Sequence, residues 1–598
     1  MGTQRPRPQP AVSVPARATG TVTGAAAGVP GTTPAPWLLA PFLETLDECL
    51  QALSADELRQ AVLDHAQGLP AAQRAAFLEV FAADGGTAAD DDPDLLADVD
   101  AFVAGDAAVA ARADDAAGAA PVATRAAVWE HLLARAGRRL LAGDAATAAH
   151  AYRGLLDALA DPGTGVPPEA LDADALVEAR HRYLRAVWES EPAPARVGAL
   201  VEAVEVAGGS GERDLTIAAV EAARRAPLPE LDVTLGDLVA RLRDVEGSTP
   251  AVAPQIRRLL AEAIERRDGI DGLAELARTQ RAGQADAYCD WIDGLVRVGR
   301  TDDAEDAARE GLDALAPDNR ARARIAERLA ALAAVRDDRT GVFDGCRAAW
   351  RADPTMPRLL ALVATARALE RSDAVLAAEA DDAGDGRLAR REGLAATVLL
   401  LAHRVDDAVT VLRGAPPGSW ASAYGRPGAV VVPFLLVGAS RAAREPGFDD
   451  TLLAALVDGA DAVARVDGGG GDLREFRMLL AKVGDGGEPP ALPGEDLRLS
   501  QLLLAAVAEH PADEQERAGW LDAGRATVLA RVEDVVGGRH RSAYEQTARL
   551  AVACAEAIAL TGGGQAGAAF VDEVHDGHAH DSAFGRALRT AAGTSPLL

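Results

Sequence analysis

The residues best equipped for chemistry lie in one short tract, Glu573-Val574-His575-Asp576-Gly577-His578-Ala579-His580-Asp581. Three imidazoles with carboxylates between them form a donor set for Zn²⁺, Ni²⁺ or Cu²⁺. A catalytic zinc takes three protein ligands and keeps one position open. His575, His578 and His580 are therefore the candidate metal ligands. The alternate placing of His578 and His580 suits a loop more than a helix face, and Gly577 fits a helix end. The plain reading of the tract is then an exposed polar turn between helices. A second cluster is cationic. Arg320, Arg324 and Arg328 recur every four residues along one helix face, beside Arg322. That stripe suits an acidic peptide or a phosphate, so these three are the candidate partner-binding residues. Asp318 and Glu327 nearby offer the ordinary alternative of a solvated, salt-bridged face.

Other signatures of catalysis fail. Lys482 is the only lysine, so no G-K-[ST] phosphate loop exists and the kinase lysine is missing. The remaining histidines form no H-E-x-x-H, and no serine sits in a G-x-S-x-G elbow. Cys49, Cys289, Cys346 and Cys554 are far apart, with no C-x-C or C-x-x-C. Cys289 beside Tyr288 and Trp291, and Cys554 on the apolar stripe of its helix, read as buried inert thiols. Gly208 to Gly211 and Gly562 to Gly567 lie between helices and read as turns. No catalytic residue and no cofactor are expected.

The chain has 598 residues and a net charge of -30, with 61 Lys+Arg against 91 Asp+Glu. That charge repels nucleic-acid phosphates and anionic membranes, so neither is an expected partner. GC-rich codon usage and a salt-adapted surface both produce this arginine-rich, acidic composition. The longest apolar run, Gly428 to Gly438, is too short to span a bilayer and contains Pro433; a buried helix is expected there. No apolar core follows Met1, so a cytoplasmic location is expected.

The elements read as helices throughout. Residues 1–36 are rich in Pro, Ala, Gly and Thr and read as a disordered tail. A helical segment over 37–120 follows, with a capping box at Ser54 to Glu57. From 121 to 466 the pattern is helix, short turn, helix. Tyr288, Trp291, Ile292 and Leu295 fall at i, i+3, i+4 and i+7. Asp302-Asp303 and Asp406-Asp407 open helices, where the macrodipole favours them. Residues 467–495 are Gly/Pro-rich and read as a linker region. A helical segment over 496–592 ends the pattern, with a capping box expected at Ser542 to Glu545.

Three turns carry a resemblance. Gly143-Asp-Ala-Ala-Thr-Ala148, Gly299-Arg-Thr-Asp-Asp-Ala304 and His403-Arg-Val-Asp-Asp-Ala408 resemble the corner of a tetratricopeptide (TPR) hairpin. Tyr152 sits where that pattern wants a bulky ring, and Trp291 at a core position. Pro162 and Pro317 come late for the closing proline, and the spacings between the three are not multiples of 34 residues. The resemblance implies an irregular TPR-like array, an all-α superhelix of helical hairpins. The C-terminal segment resembles the helical region of bacterial SWIM-type zinc-finger proteins, through His510-Pro-Ala-Asp513, Ala543-Tyr544 and His575 to His580 before Phe584 and Leu588. The zinc element of that family, C-x-C followed by C-x-H, is absent here, so zinc-dependent binding is not implied.

The expectation is a non-catalytic protein–protein interaction scaffold whose partners are other proteins. Two alternatives stand beside it. One is a metal-binding module or metal-dependent enzyme using His575, His578 and His580. The other, suggested by the family resemblance, is a regulatory subunit of an ATPase-containing complex.

Overall fold

The fold begins with a turn that recurs. Gly143, Gly299 and His403 hold left-handed φ angles of 92°, 77° and 59°. In each case the next N–H bonds a carbonyl five residues back: Asp144 to Arg139, Arg300 to Leu295 and Arg404 to Leu399. This is the Schellman closure, which satisfies the last carbonyls of one helix and reverses the chain. The same closure occurs at Asp337 (φ 56°) and Glu370 (φ 55°), through Asp338 to Ala333 and Arg371 to Ala366. The turns at 299, 337, 370 and 403 are thus 38, 33 and 33 residues apart. Ala148, Ala304 and Ala408, five residues after their turns, are all 0 % exposed, so a methyl group is all that separates the paired helices there.

In the computed structural model the described residues are 94–105, 125–160, 173–207, 215–224, 226–246, 253–280, 284–384, 391–415, 426–441, 451–464, 471–483 and 493–598, with single positions 50, 54, 58, 59, 62, 171 and 388. The expected tail over 1–36, Cys49 and most of the segment over 37–120 lie outside them. Among the described residues there are 24 α-helices and no strand. None is long and apolar enough to cross a membrane.

Chain contacts divide the protein into two units, one of Met1–Pro192 with Ala218–Leu228 and one of Ala193–Ile217 with Pro229–Leu598. The first contains α1 (Leu95–Val103), α2 (Arg125–Leu141), α3 (Ala145–Ala160) and α4 (Ala173–Ser190), with most of α6 (Ile217–Ala222). Its core holds Trp129, Tyr152 and Trp188, each 0 % exposed. The Trp129 indole donates to the Leu155 carbonyl at 3.1 Å. Arg185, 2 % exposed, donates to the carbonyls of Ala226 and Pro227 and pairs with Glu189.

The second unit opens with α5 (Ala193–Ala207), α7 (Leu231–Glu246) and α8 (Ala253–Thr279), which is broken at Gly269. Four hairpins follow in tandem. They are α9 (Gln284–Arg297) with α10 (Thr301–Ala314), α11 (Arg322–Val335) with α12 (Arg339–Ala352), α13 (Met356–Ala368) with α14 (Ser372–Gly384), and α15 (Glu392–Leu401) with α16 (Val405–Gly414). The acidic pairs Asp302-Asp303 and Asp406-Asp407 do lie in first turns. Glu379 on α14 is 0 % exposed. It accepts from the Trp350 indole at 2.9 Å and from Arg351 at 3.0 Å, locking α12 to α14.

The run from Gly428 is a helix, α17 (Gly428–Ser440), with Pro433 inside it. It is the centre of the C-terminal part, packed by α18 (Thr451–Ala464), α20 (Leu499–Glu509), α21 (Glu514–Gly537) and α22 (Tyr544–Gly562). Its small residues set the distances. A Cβ on Gly438 would meet the Trp520 ring at 2.6 Å. The last helices are α23 (Gly564–Gly577) and α24 (Ser582–Ala592). Between α18 and α20 the expected linker is not bare: residues 471–483 form α19 (Gly471–Val483).

The cap expected at Ser542 is not made. Arg541–Ala543 is a 3-10 turn, and α22 starts at Tyr544 with no side-chain cap. The serine falls one residue before the cap position, Ala543, so it does not meet the N3 amide. The capping box of this region is instead at Asp513, which accepts from the Glu516 N–H at 2.8 Å while Glu516 accepts from Asp513. That aspartate belongs to the His510-Pro-Ala-Asp513 pattern, and its role there is structural.

Glu379→Ala removes the acceptor from a buried indole and two arginines. Such a loss costs about 3 kcal/mol, and Glu379→Gln, which keeps an acceptor in place, costs about half of that. Urea denaturation of the two variants checks the order.

Candidate functional site

α9 presents aspartates at i, i+4 and i+7, and each meets an arginine. Asp286 pairs with Arg324 of α11 and lies 3.6 Å from Arg257. Asp290 pairs with Arg258 of α8 at 2.7 Å. Asp293 accepts both forks of Arg328 of α11, at 2.7 and 2.9 Å. The arginine stripe is therefore a ladder between successive hairpins. Arg324 and Arg328 point into the chain, and Arg328 is 5 % exposed. Arg320 sits exposed on the turn before α11. The three are not presented together as an open binding stripe. Their sequence neighbours Asp318 and Glu327 do not decide this; Asp286 and Asp293, more than thirty residues away, do. The spacing of the aspartates along the same helix as Tyr288 and Trp291 was the available signal.

The far side of the ladder carries α19. This helix lies against α9 and α11. Phe476 is 1 % exposed and packs under the Arg328 guanidinium, 5.1 Å from Cζ to the ring centroid. One charged group thus grips a carboxylate on α9 and an aromatic face on α19. Beyond α19, residues 493–497 return over α13. Gly494 has φ 88°, and a Cβ there would lie 2.7 Å from the Leu360 carbonyl carbon and oxygen. Only glycine meets both demands.

Between the hairpins and this returning segment lies a cavity of ≈ 290 Å³. Its floor is apolar, with Ala330, Cys346, Met356 and Leu473 among the lining residues. Its rim is paired: Glu327 with Arg358 at 2.6 Å and Arg477 with Glu495 at 2.8 Å. Burial pushes the Cys346 thiol up to about 12, with the Glu327 charge adding to it. Cys289 and Cys554 are likewise buried and pushed up to about 12 by burial. None of these thiols is a thiolate nucleophile near neutral pH.

The histidine tract is the turn between α23 and α24. His575 lies at the end of α23 with its Nε2 2.9 Å from Arg589 and its Nδ1 3.4 Å from Asp576. His578 faces Glu533 at 3.7 Å, and its ring lies 6.1 Å from that of His580. Among the described residues no group of three His, Cys, Asp or Glu side chains is placed to hold a metal ion. The proposed ligand set of His575, His578 and His580 is not assembled, because a guanidinium sits on the His575 nitrogen. Asp581 is used locally: it caps α24 through the Ala583 and Phe584 amides and accepts from the Tyr544 hydroxyl at 2.7 Å. Tyr544 also meets Phe584 edge-on at 5.7 Å. Tyr544, Asp581 and Phe584 thus hold this helical corner together.

Comparison with protein-family models, with curated proteins and with solved structures finds no match to this chain.

The ladder has a pH signature. Burial raises the Asp290 carboxyl to about 6; Asp293 and Asp286 add to the rise, and Arg258 opposes it. The folded state then holds this proton more tightly than the unfolded chain. The contribution of Asp290 to stability is full below about pH 4, the unfolded carboxylate value, and is lost as pH rises through about 6. Asp290→Asn removes that dependence. Melting curves from pH 4 to 7 should show the wild-type advantage over the variant shrinking across this window and constant above it.

Proposed function

We propose that this protein is a non-catalytic interaction scaffold whose hairpin array forms a superhelical face that holds amphipathic helices of partner proteins. The observation that supports this reading is α19. It lies across two successive hairpins, and its Phe476 is buried under a guanidinium already oriented by Asp293. Short Gly-rich stretches flank it in the sequence, at 467–471 and 484–494. A helix laid on an array with one aromatic anchor is a recurring form of helix-in-groove recognition. Free cysteines fit the reducing, cytoplasmic setting expected from the sequence.

In this reading α19 occupies in cis the seat that a partner helix takes in trans. Phe476→Asp places a charge under Arg328, removes the aromatic anchor and opens the seat. A synthetic peptide of residues 471–483 should bind the variant in the micromolar range, about tenfold or more tighter than it binds the wild type. Fluorescence anisotropy with a labelled peptide reads this. Equal affinity for both proteins, or no binding to the variant, defeats the proposal.

A further inference from the structure

Two walls bound the cavity of ≈ 290 Å³. One is built from α11, α12 and α13, and the other from α19 and residues 493–497. Small side chains line the first wall: Ala331 and Ala334 on α11, Ala349 on α12 and Ala361 on α13. Methyl groups from three helices make a smooth apolar surface. Met356 and Cys346 add sulfur to the same wall, and Leu473 of α19 lines the opposite one.

Both walls are fixed by contacts of their own. Arg358 of α13 bonds Glu327 of α11 at 2.6 Å and Asp353 at 2.5 Å. Arg477 of α19 bonds Glu495 at 2.8 Å. The chain at Gly494 sits directly on the Leu360 carbonyl of α13, and Phe476 seats α19 under Arg328. The space between the walls is therefore preformed, as small-molecule sites usually are.

The charges in the lining cancel. They are two arginines and two carboxylates, and each arginine is bonded to one of those carboxylates. An ionic ligand would shed its water to meet groups that already hold their counter-charges. A neutral apolar ligand gains from leaving water and has no charge to desolvate. Size narrows the class further. A cavity of roughly 150 Å³ holds one benzene ring, and this one has about twice that volume.

We propose that this cavity binds a neutral aromatic small molecule of about two rings. Methyl-lined walls suit a flat ring system, and thioether sulfur makes favourable contacts with aromatic rings. The ligand would touch the hairpins on one side and α19 on the other. The inference needs no partner helix and stands apart from the scaffold reading.

The test is titration calorimetry of the full chain with 1-naphthol near neutral pH. The expected result is saturable binding at one site, with a dissociation constant of about 10 μM. 1-Naphthoate and 1-naphthylmethylammonium carry the same rings with a charge and should each bind at least about tenfold more weakly. Decahydro-1-naphthol, puckered and without aromatic rings, should also bind more weakly. Ala334→Phe and Ala361→Phe each enlarge a half-buried position in the lining and should weaken 1-naphthol binding about tenfold or more. Circular dichroism checks that each variant keeps its helices. Val298→Ser, at an exposed apolar position outside the lining, should leave binding unchanged. In the unmodified chain, saturating 1-naphthol should slow amide exchange over residues 471–483, because α19 forms part of the site. No saturable binding by the wild type overturns the proposal. So does a charged naphthalene or decahydro-1-naphthol that binds as tightly as 1-naphthol, or unchanged exchange over 471–483.

Discussion

Arg328 reaches from α11 to Asp293 on α9 through two hydrogen bonds of 2.7 and 2.9 Å and carries Phe476 of α19 on its ring-facing side. Much else in the array follows from this contact. A guanidinium that is 5 % exposed is costly to bury unless its donors are met and its charge balanced. Asp293 balances the charge and accepts from two of its nitrogens, the Arg324 carbonyl accepts from the third, and the fork geometry fixes the offset of one hairpin on the next. The flat face left over then suits an aromatic ring. Asp286 with Arg324 and Asp290 with Arg258 extend the same logic along α9 in both directions.

The C-terminal part is built on the opposite principle. α17 is buried at every position but Ala429 and brings no charged side chain of its own. Its neighbours approach through glycine. Gly438 admits the Trp520 ring and Gly524 admits Leu436. Gly459 closes on the Ala429 carbonyl, the one to which Pro433 has no N–H to give. One polar group that enters this core is met from a distance: Glu556, 0 % exposed, accepts the Leu452 N–H through one carboxylate oxygen at 2.8 Å at the start of α18. An array held by paired charges and a bundle held by close apolar packing thus share one unit.

The helical class and the hairpin turns were legible in the sequence because glycine marks a left-handed closure. Gly143 and Gly299 announced theirs, and His403 was found by its Asp-Asp-Ala continuation. The turns at Asp337 and Glu370 were not found, because acidic residues in the left-handed region look like helix surface. With them absent the spacing looked irregular; with them present four turns fall in near-regular succession. Tyr152 and Trp291 were legible as core, since a large apolar ring at helical spacing has little other use. The arginine stripe was visible, but its destination was not, because Asp286 and Asp293 are brought to it by the fold and not by proximity along the chain. α19 was hidden by composition. Glycine-rich flanks made a linker of a segment that contains Phe476, Leu480 and a complete helix. The histidine tract was legible as a turn; its nitrogen partner Arg589 lies fourteen residues on, across the α23–α24 corner.

The measurement closest to the central claim is amide hydrogen exchange, read by mass spectrometry, on the wild type and on Arg328→Met. If the Asp293 fork seats α19, residues 471–483 exchange at least about tenfold faster in the variant while residues 428–440 of α17 keep their protection. Unchanged exchange over 471–483, or an equal loss of protection over 428–440, would contradict the account.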